Sequence, residues 1–314
     1  MTTQQFMNRS CPVCRKKPSK KSFISTPNKA ESLTLKKLTS SWNGFFKEKI
    51  IFSYTRCDSC GLVYSPIFFN QKELEKLYSQ MPANMDEVPI TALEATQYGY
   101  FKMLEKYSSL EGNLMEIGPD IGLFTKHCVN QGNFKKFWLF EPNKSVKKTL
   151  SLVVRNYPSE IVHEMTDFSK VPNHSIDVLI IIHVMDHLID PCRMLKSLKS
   201  KLKDHAKILI VTHDESSLLR KVFGWRWPAF CLQHPQIYNQ KTMRQLLEIS
   251  GFNVITQKKT VNYFKLKFLI KHLFWAIGIR IKFVPDFGGL TLGLKLGNIL
   301  TIATPNQKGV KSES

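Results

Sequence analysis

The chain has 314 residues, 43% of them hydrophobic, and sets 45 Lys and Arg against 25 Asp and Glu for a formal charge of +20. That composition fills a sizeable core and excludes general disorder, and the length allows one large domain with a small accessory one. The positive surface attracts phosphate in nucleic acid, in nucleotide-linked substrates or in anionic lipid, without choosing among them. The opening MTTQQFMNRSCPVC has no apolar core of the kind a leader needs, and no stretch reaches the roughly 18 apolar residues of a spanning helix. A cytoplasmic location is expected, with membrane-peripheral contact as the variant on it.

The boundaries expected from composition are 1–68 for a small module, 69–110 for a helical connector, 111–304 for the main domain and 305–314 for a disordered tail. In the first segment Cys11 and Cys14, then Cys57 and Cys60, form two C-x-x-C pairs. A C-x-x-C turn aims two sulfurs at one point, and two such turns complete the tetrahedron of a structural zinc ion in a zinc-ribbon-like module. With four protein ligands the ion keeps no open position, so its role is structural. Gly61 suits the close turn after the second pair. Metal-free thiols or a redox pair are the alternatives, and Cys128, Cys192 and Cys231 read as ordinary thiols. Leu74, Leu77 and Tyr78, then Tyr100, Phe101 and Leu104, stand at helical spacing on either side of a linker at Met81 to Pro89.

From Asn113 to Gly251 short apolar runs alternate with amphipathic stretches, the pattern of a doubly wound, mostly parallel α/β sheet. The strand candidates are Leu114–Ile117, Phe137–Phe140, Val178–Ile182 and Lys207–Thr212, and a helix is expected after Asp190-Pro191. Asn253–Thr256 and Asn298–Ala303 read as two later strands around a helical insert at 258–297. Between Lys258 and Lys282 that insert holds seven Lys or Arg and no acid, mixed with Phe264, Leu266, Phe268 and Trp275. It suits a membrane surface, a lid helix or a dimer contact alike.

Glu116, Gly118, Pro119, Asp120 and Gly122 place an acid at a strand end and small residues at the turn into a helix, where a ligand can approach free N–H groups. The spacing E-x-G-x-x-x-G departs from the dinucleotide fingerprint G-x-G-x-x-G. Glu141, followed by Pro142, ends the next strand, where a carboxylate can accept hydrogen bonds from both ribose hydroxyls of an adenosine. Asp167 and Phe168 offer a carboxylate for the adenine amine and a ring for its face.

These motifs resemble those of class I S-adenosylmethionine-dependent methyltransferases. The run from Ser175 to Pro191 resembles the family's "FDVI…HVLEHLxDP", Gln233-His234 and Gly251-Phe252 resemble its later "EH…GF", and Gly297-Asn298 resembles the start of its last hairpin. Together with CDSCGLVYSP, the chain is similar to bacterial methyltransferases with an N-terminal zinc module, including sugar C-methyltransferases and relatives encoded with cell-surface polysaccharide genes. The resemblance implies a Rossmann-like sheet and a methyl donor held by Glu116, Gly118, Pro119, Asp120, Gly122, Glu141, Pro142, Asp167, Phe168 and His183. The chain departs from the family at Asp120, in place of a glycine, at Asp186, in place of glutamate, and at Leu202-Lys-Asp-His-Ala-Lys, in place of "LKPGG". Aspartate tolerates a left-handed backbone better than most residues.

Methyl transfer needs placement and often a base, for which His183, His187, His213 and His234 are the candidates, though each is also a residue that packs or caps. Trp225, Trp227, Pro228 and Phe230 suit an acceptor lid, a base-stacking platform or simple core. The reading that follows is methyl transfer to a small-molecule or glycan-like acceptor, on a nucleotide or lipid carrier. A nucleic-acid methyltransferase is the less favoured alternative, since no N-P-P-Y-type tetrapeptide follows the Val178–Ile182 strand. A non-catalytic zinc and Rossmann scaffold is the third.

Overall fold

Strands whose two faces are both apolar must be covered twice, and the runs around Leu114, Phe137, Val178 and Ile208 are of that kind. In the computed structural model, which describes residues 5–42, 49–79 and 88–306, they form the centre of a seven-stranded sheet. Its strands are β1 (Glu111–Ile117), β2 (Asn133–Phe140), β3 (Ser159–Val162), β4 (Ile176–Ile182), β5 (Leu202–His213), β6 (Phe252–Lys259) and β7 (Asn298–Pro305). They lie in the order β3-β2-β1-β4-β5-β7-β6. The first five run parallel, with Leu114 opposite Val178, and β7 inserts antiparallel between β5 and β6, with Ile208 opposite Ala303.

Alternation along each strand divides the core in two. Met115, Ile117, Leu179, Ile181, Ile208 and Ile210 face one layer, while Leu114, Val178, Ile180, Leu209 and Val211 face the other. The second layer is covered by α1 (Ile90–Glu105), α2 (Leu123–Gln131) and α3 (Lys147–Val153), through Phe101, Phe124 and Leu150 among others. The first is covered by α4 (Pro191–Lys199), by the N-terminal segment and, beyond α5 (Leu218–Phe223), by α6 (Gln240–Ile249). Local signals start these helices. Asp190 accepts from the Arg193 N–H at 3.0 Å with Pro191 in the first turn, and Asn239 and Thr242 form a reciprocal capping box.

The turn into β1 depends on Gly112. Its φ is +81°, and a Cβ there would stand 2.2 Å from Asp177 Oδ2, a carboxylate already tied to the Asn113 N–H and to Lys203 Nζ, both at 2.8 Å. Neither partner can retreat without breaking a charge-assisted bond. Gly112→Ala is therefore expected to cost about 2 kcal/mol, a fall of several degrees in thermal midpoint. An unchanged melting curve would refute this account of the turn.

The N-terminal segment is not a separate bead. Its strands Ser22–Ile24, Tyr54–Arg56 and Val63–Tyr64 share a four-stranded sheet with Gln236–Ile237, which arrives from beyond β5. Helix Gln71–Ser79 packs Leu74 and Leu77 against Trp42, Phe52, Phe68 and Phe69 of the same segment. Part of the expected Met81–Pro89 linker lies outside the described residues. So does the expected tail from 307 onward, whereas Pro305 closes β7.

The insert before β7 is a two-stranded ribbon, Asn262–Lys265 with Thr291–Leu294, carrying α7 (Leu266–Ala276) beyond its far end. The helix is shorter than the basic run read from the sequence. Among the described residues no helix is long and apolar enough to cross a membrane.

Candidate active site

The two cysteine turns are built alike. Cys11 N–H donates to Lys16 O at 2.9 Å and Cys57 N–H to Leu62 O at 2.9 Å, and each second cysteine is followed by a left-handed residue, Arg15 (φ +63°) and Gly61 (φ +82°). The four sulfurs lie within 4.8 Å of one another, with Cys11–Cys60 at 3.5 Å and Cys14–Cys57 at 3.4 Å. A zinc ion bonded at about 2.3 Å puts its sulfurs about 3.8 Å apart, so the set fits a tetrahedral ion. The hydrogen bond from Cys11 holds the Cys60 thiol below its ordinary range, against the opposing effect of burial.

From this knuckle a chain of polar contacts reaches the catalytic edge of the sheet. Arg9, 5% exposed, donates to Ser65 O, Pro235 O, Ile189 O and, at 2.8 Å, to Gln236 Oε1. Gln236 Nε2 in turn donates to Met185 O at 3.0 Å and to Leu188 O at 2.6 Å. Arg56 forks onto Glu215 at 2.9 and 3.0 Å, just past β5. The short turn Met185–His187 beyond β4 is thus held from the module side.

A large cavity opens over the carboxyl ends of β1, β2, β4 and β5, the edge where open α/β sheets keep their ligands. Glu116, Gly118, Pro119, Asp120, Glu141 and Pro142 line it. Gly118 (φ +70°) and Asp120 (φ +50°) both take left-handed backbone, so the aspartate occupies the conformation that the missing glycine would have taken. A Cβ on Gly118 would meet Val184 Cγ2 at 2.5 Å, a cradle only glycine keeps open. Glu141 accepts from the Asp120 N–H at 2.9 Å through Oε2 and from the Asn143 N–H at 2.8 Å through Oε1, and burial raises its pKa. Each oxygen retains a lone pair for a further donor. Glu116, 2% exposed, accepts from the Thr125 hydroxyl. Burial pushes it up to about 7, with the Thr125 bond opposing and Glu141 reinforcing the shift.

Four imidazoles gather at the far side of the same cavity. The His183 and His213 rings are 4.9 Å apart, His213 and His234 4.8 Å, and His234 and His187 4.5 Å. Asp186, fully buried, accepts from the His213 N–H at 3.0 Å and lies 2.9 Å from its Nδ1. A backbone carbonyl only accepts, so His234 Nδ1 donates to Ala229 O at 2.7 Å. His187 Nδ1 lies 2.7 Å from the Tyr78 hydroxyl and 3.2 Å from Gln233 O, and the hydroxyl itself donates to Gln233 O at 3.3 Å. With its proton on Nδ1, His187 turns the Nε2 lone pair outward. Burial, reinforced by the neighbouring imidazoles, holds His187 well below its usual range and His183 at about 3. For His234 burial is outweighed by the Cys231 thiolate and then by Asp186, which lift it to about 9. The pairing has a counterpart in Cys231, whose pKa is lowered despite burial, with Lys49 contributing.

The structure brings most of the sequence candidates to one place and turns four elsewhere. Asp167 is exposed and accepts from its own Ser169 N–H at 2.9 Å, while Phe168 is 3% exposed and packs edge-on against Phe140 at 5.0 Å. The preceding residues His163, Glu164, Met165 and Thr166 do line the cavity. Gly122 caps α2 at φ +78° and lies behind the lining. Trp227, Pro228 and Phe230 line the cavity and Trp225 does not. Missed in the sequence were Tyr78 and Asn298 as partners of His187 and His183, Lys49, and the cavity position of Cys231. Only the helical spacing around Tyr78 gave any signal.

A family model described as a methyltransferase domain matches residues 93–257, more than half of the chain, and the chain belongs to that family. It is a class I S-adenosylmethionine-dependent methyltransferase, and its seven-stranded mixed sheet is typical of the Rossmann-like members. No curated relative matches the sequence. Among solved structures, one chain of the complex containing the Haloferax volcanii Trm112 methyltransferase activator is 11% identical, with a TM-score of 0.50 over 70% of this chain and 93% of that one. A SAM-dependent methyltransferase from Aquifex aeolicus is 12% identical, with a TM-score of 0.47 over 76% and 99%. One from Leishmania major is 13% identical, with a TM-score of 0.47 over 74% and 81%. At such identities the first likeness bears on the fold alone.

Proposed function

We propose that the chain methylates a glycan-like acceptor borne on a lipid or nucleotide carrier, with a structural zinc ion in the four-cysteine knuckle. The observation that carries the reading is the meeting, in one cavity, of a carboxylate-lined sheet edge and four imidazoles whose walls include Trp42, Tyr78, Trp227, Phe230 and Phe264. Sugars are bound by aromatic faces and polar side chains of this kind. A carrier is favoured by the insert, where Phe283 is 80% exposed and Ile277, Ile279 and Phe287 are also exposed among lysines.

In this reading Glu141 takes the ribose hydroxyls of the donor. The bend Glu116–Asp120 takes its amino-acid end, and His163 to Thr166 border the adenine. The bound donor supplies an electrophilic methyl group. His187, neutral and presenting its Nε2 lone pair, takes the acceptor's proton, and protonated His234 lies beside it. The chain incubated with radiolabelled donor should label lipid-linked or nucleotide-linked sugar fractions. Label confined to RNA or DNA would instead favour the nucleic-acid reading, and no label in any fraction would favour the scaffold.

Glu116 gives the donor site a pH signature. A cationic sulfonium is attracted by the ionised carboxylate, whose pKa of about 7 leaves it mostly protonated at pH 6 and mostly ionised at pH 8. Donor affinity is expected to be about tenfold tighter at pH 8 than at pH 6 by calorimetry, and nearly flat in Glu116→Gln. An equal slope in the variant would place the titration elsewhere.

A further inference from the structure

Beyond the four-cysteine knuckle, the described residues hold a second cluster of metal-ligating groups. One donor atom each from His183, Asp186 and His213 lies within 4.8 Å of the other two. We propose that these three side chains bind a second metal ion, a divalent transition ion of the borderline kind that takes imidazole and carboxylate ligands.

Three features of the cluster support a cation at this point. Asp186 is fully buried, and no lysine or arginine pairs with it; its one ionic partner among the described residues is His213. Its Oδ2 is used by His213, but its Oδ1 is buried with no hydrogen-bond partner among the described residues. His183 Nδ1 is orphaned in the same way, while its Nε2 faces the Asn298 side-chain amide at 3.4 Å. Orphaned buried polar atoms are rare in native proteins, and two that can each offer a lone pair, beside a third ligand, are what a bound ion would satisfy. With the ion on Nδ1, His183 would carry its proton on Nε2, and a turned Asn298 amide would accept it, the usual outer support of a ligating histidine.

The chemistry of the set is consistent. Imidazole nitrogens and a carboxylate oxygen are the ligand types that borderline divalent ions prefer. Ligands on one ion stand about 3 to 3.5 Å apart, and the three donor atoms here lie within 4.8 Å of one another, so small side-chain shifts would close them on an ion. Two imidazoles and one carboxylate leave coordination positions open, unlike the knuckle with its four thiolates. His183 and His213 line the acceptor side of the cavity, so those positions would face an acceptor oxygen and lower its pKa.

The test is cobalt stoichiometry on the full chain, stripped of metal, refolded with cobalt(II) and desalted. Two cobalt ions per chain are expected, one with intense thiolate charge-transfer absorption and one with only weak visible bands. Asp186→Asn and His183→Ala should each retain the thiolate absorption and drop to one cobalt. Calorimetry with the methyl donor on Asp186→Asn confirms that the cavity is still formed. One cobalt per chain in the unaltered protein, with the thiolate absorption alone, would overturn the proposal and leave protonated His234 as the counter-charge of Asp186. Two cobalt ions persisting in both variants would overturn it as well, by placing the second ion elsewhere. The count involves neither donor nor acceptor turnover, so its failure leaves the methyl-transfer reading intact, and failure to label any acceptor leaves the metal count to be decided.

Discussion

With zinc in the four-cysteine knuckle as proposed, replacing Cys57 with serine, or treating the chain with a strong chelator, is expected to lower the thermal midpoint of the whole chain by roughly 10 °C or more and to weaken methyl-donor binding together with it. A structural zinc ion contributes on the order of 10 kcal/mol to the segment it closes, and a loss of about 5 kcal/mol suffices for such a shift in a domain of this size. The effect should spread because the knuckle does not end at residue 68. Val63–Tyr64 pairs with Gln236–Ile237, and Arg9 bonds Gln236, which itself holds the carbonyls of Met185 and Leu188. Releasing the knuckle leaves a buried guanidinium and four buried carbonyl or amide groups without partners, each costing about 1–3 kcal/mol. The turn bearing Asp186 and His187 loses its anchor in the same event. Differential scanning calorimetry and donor titration on the chelated protein would check this. A small early transition with unaltered donor affinity would show that the module melts as an independent unit.

His187→Gln is expected to reduce kcat by about 10²- to 10⁴-fold while leaving the donor Kd and the thermal midpoint nearly unchanged. Glutamine can keep a donor toward Gln233 O and a partner for Tyr78, so the packing on the Nδ1 side survives. What disappears is the lone pair on Nε2. His187 lines the side proposed for the acceptor, and Glu116 and Glu141, proposed for the donor, end other strands of the sheet, β1 and β2, which is why binding and turnover should separate. Tyr78→Phe removes only the hydroxyl at 2.7 Å from Nδ1, so a loss of no more than about tenfold is expected from it. A His187→Gln variant with full turnover would move the base to another of the four imidazoles.

The sheet and the donor edge were legible in the sequence because they rest on local signals. Apolar runs of strand length, Asp190-Pro191 at a helix start, and an acid followed by a glycine turn each fix backbone within a few residues. Gly118 and Asp120 take the left-handed backbone expected at that turn. Strand β3 escaped notice because Ser159–Val162 is a short edge strand with a charged residue inside it. Asp167 and Phe168 adjoin the cavity-lining residues 163–166 without lining the cavity themselves, because nothing in a sequence says which neighbouring side chain turns inward.

By itself, then, the sequence determined the alternating α/β sheet, the acid and glycine turn at the end of β1 and the two cysteine turns, since each follows from periodicity or short spacing, while the family came from the resemblance of its motifs. Tertiary structure alone decided that the knuckle and the catalytic turn share a sheet, that Arg9 and Gln236 join them, and that His183, His187, His213 and His234 meet in one cavity. Those partners lie up to 227 residues apart along the chain. Their meeting is set by how layers pack and which side chains lose water, quantities that no local pattern encodes.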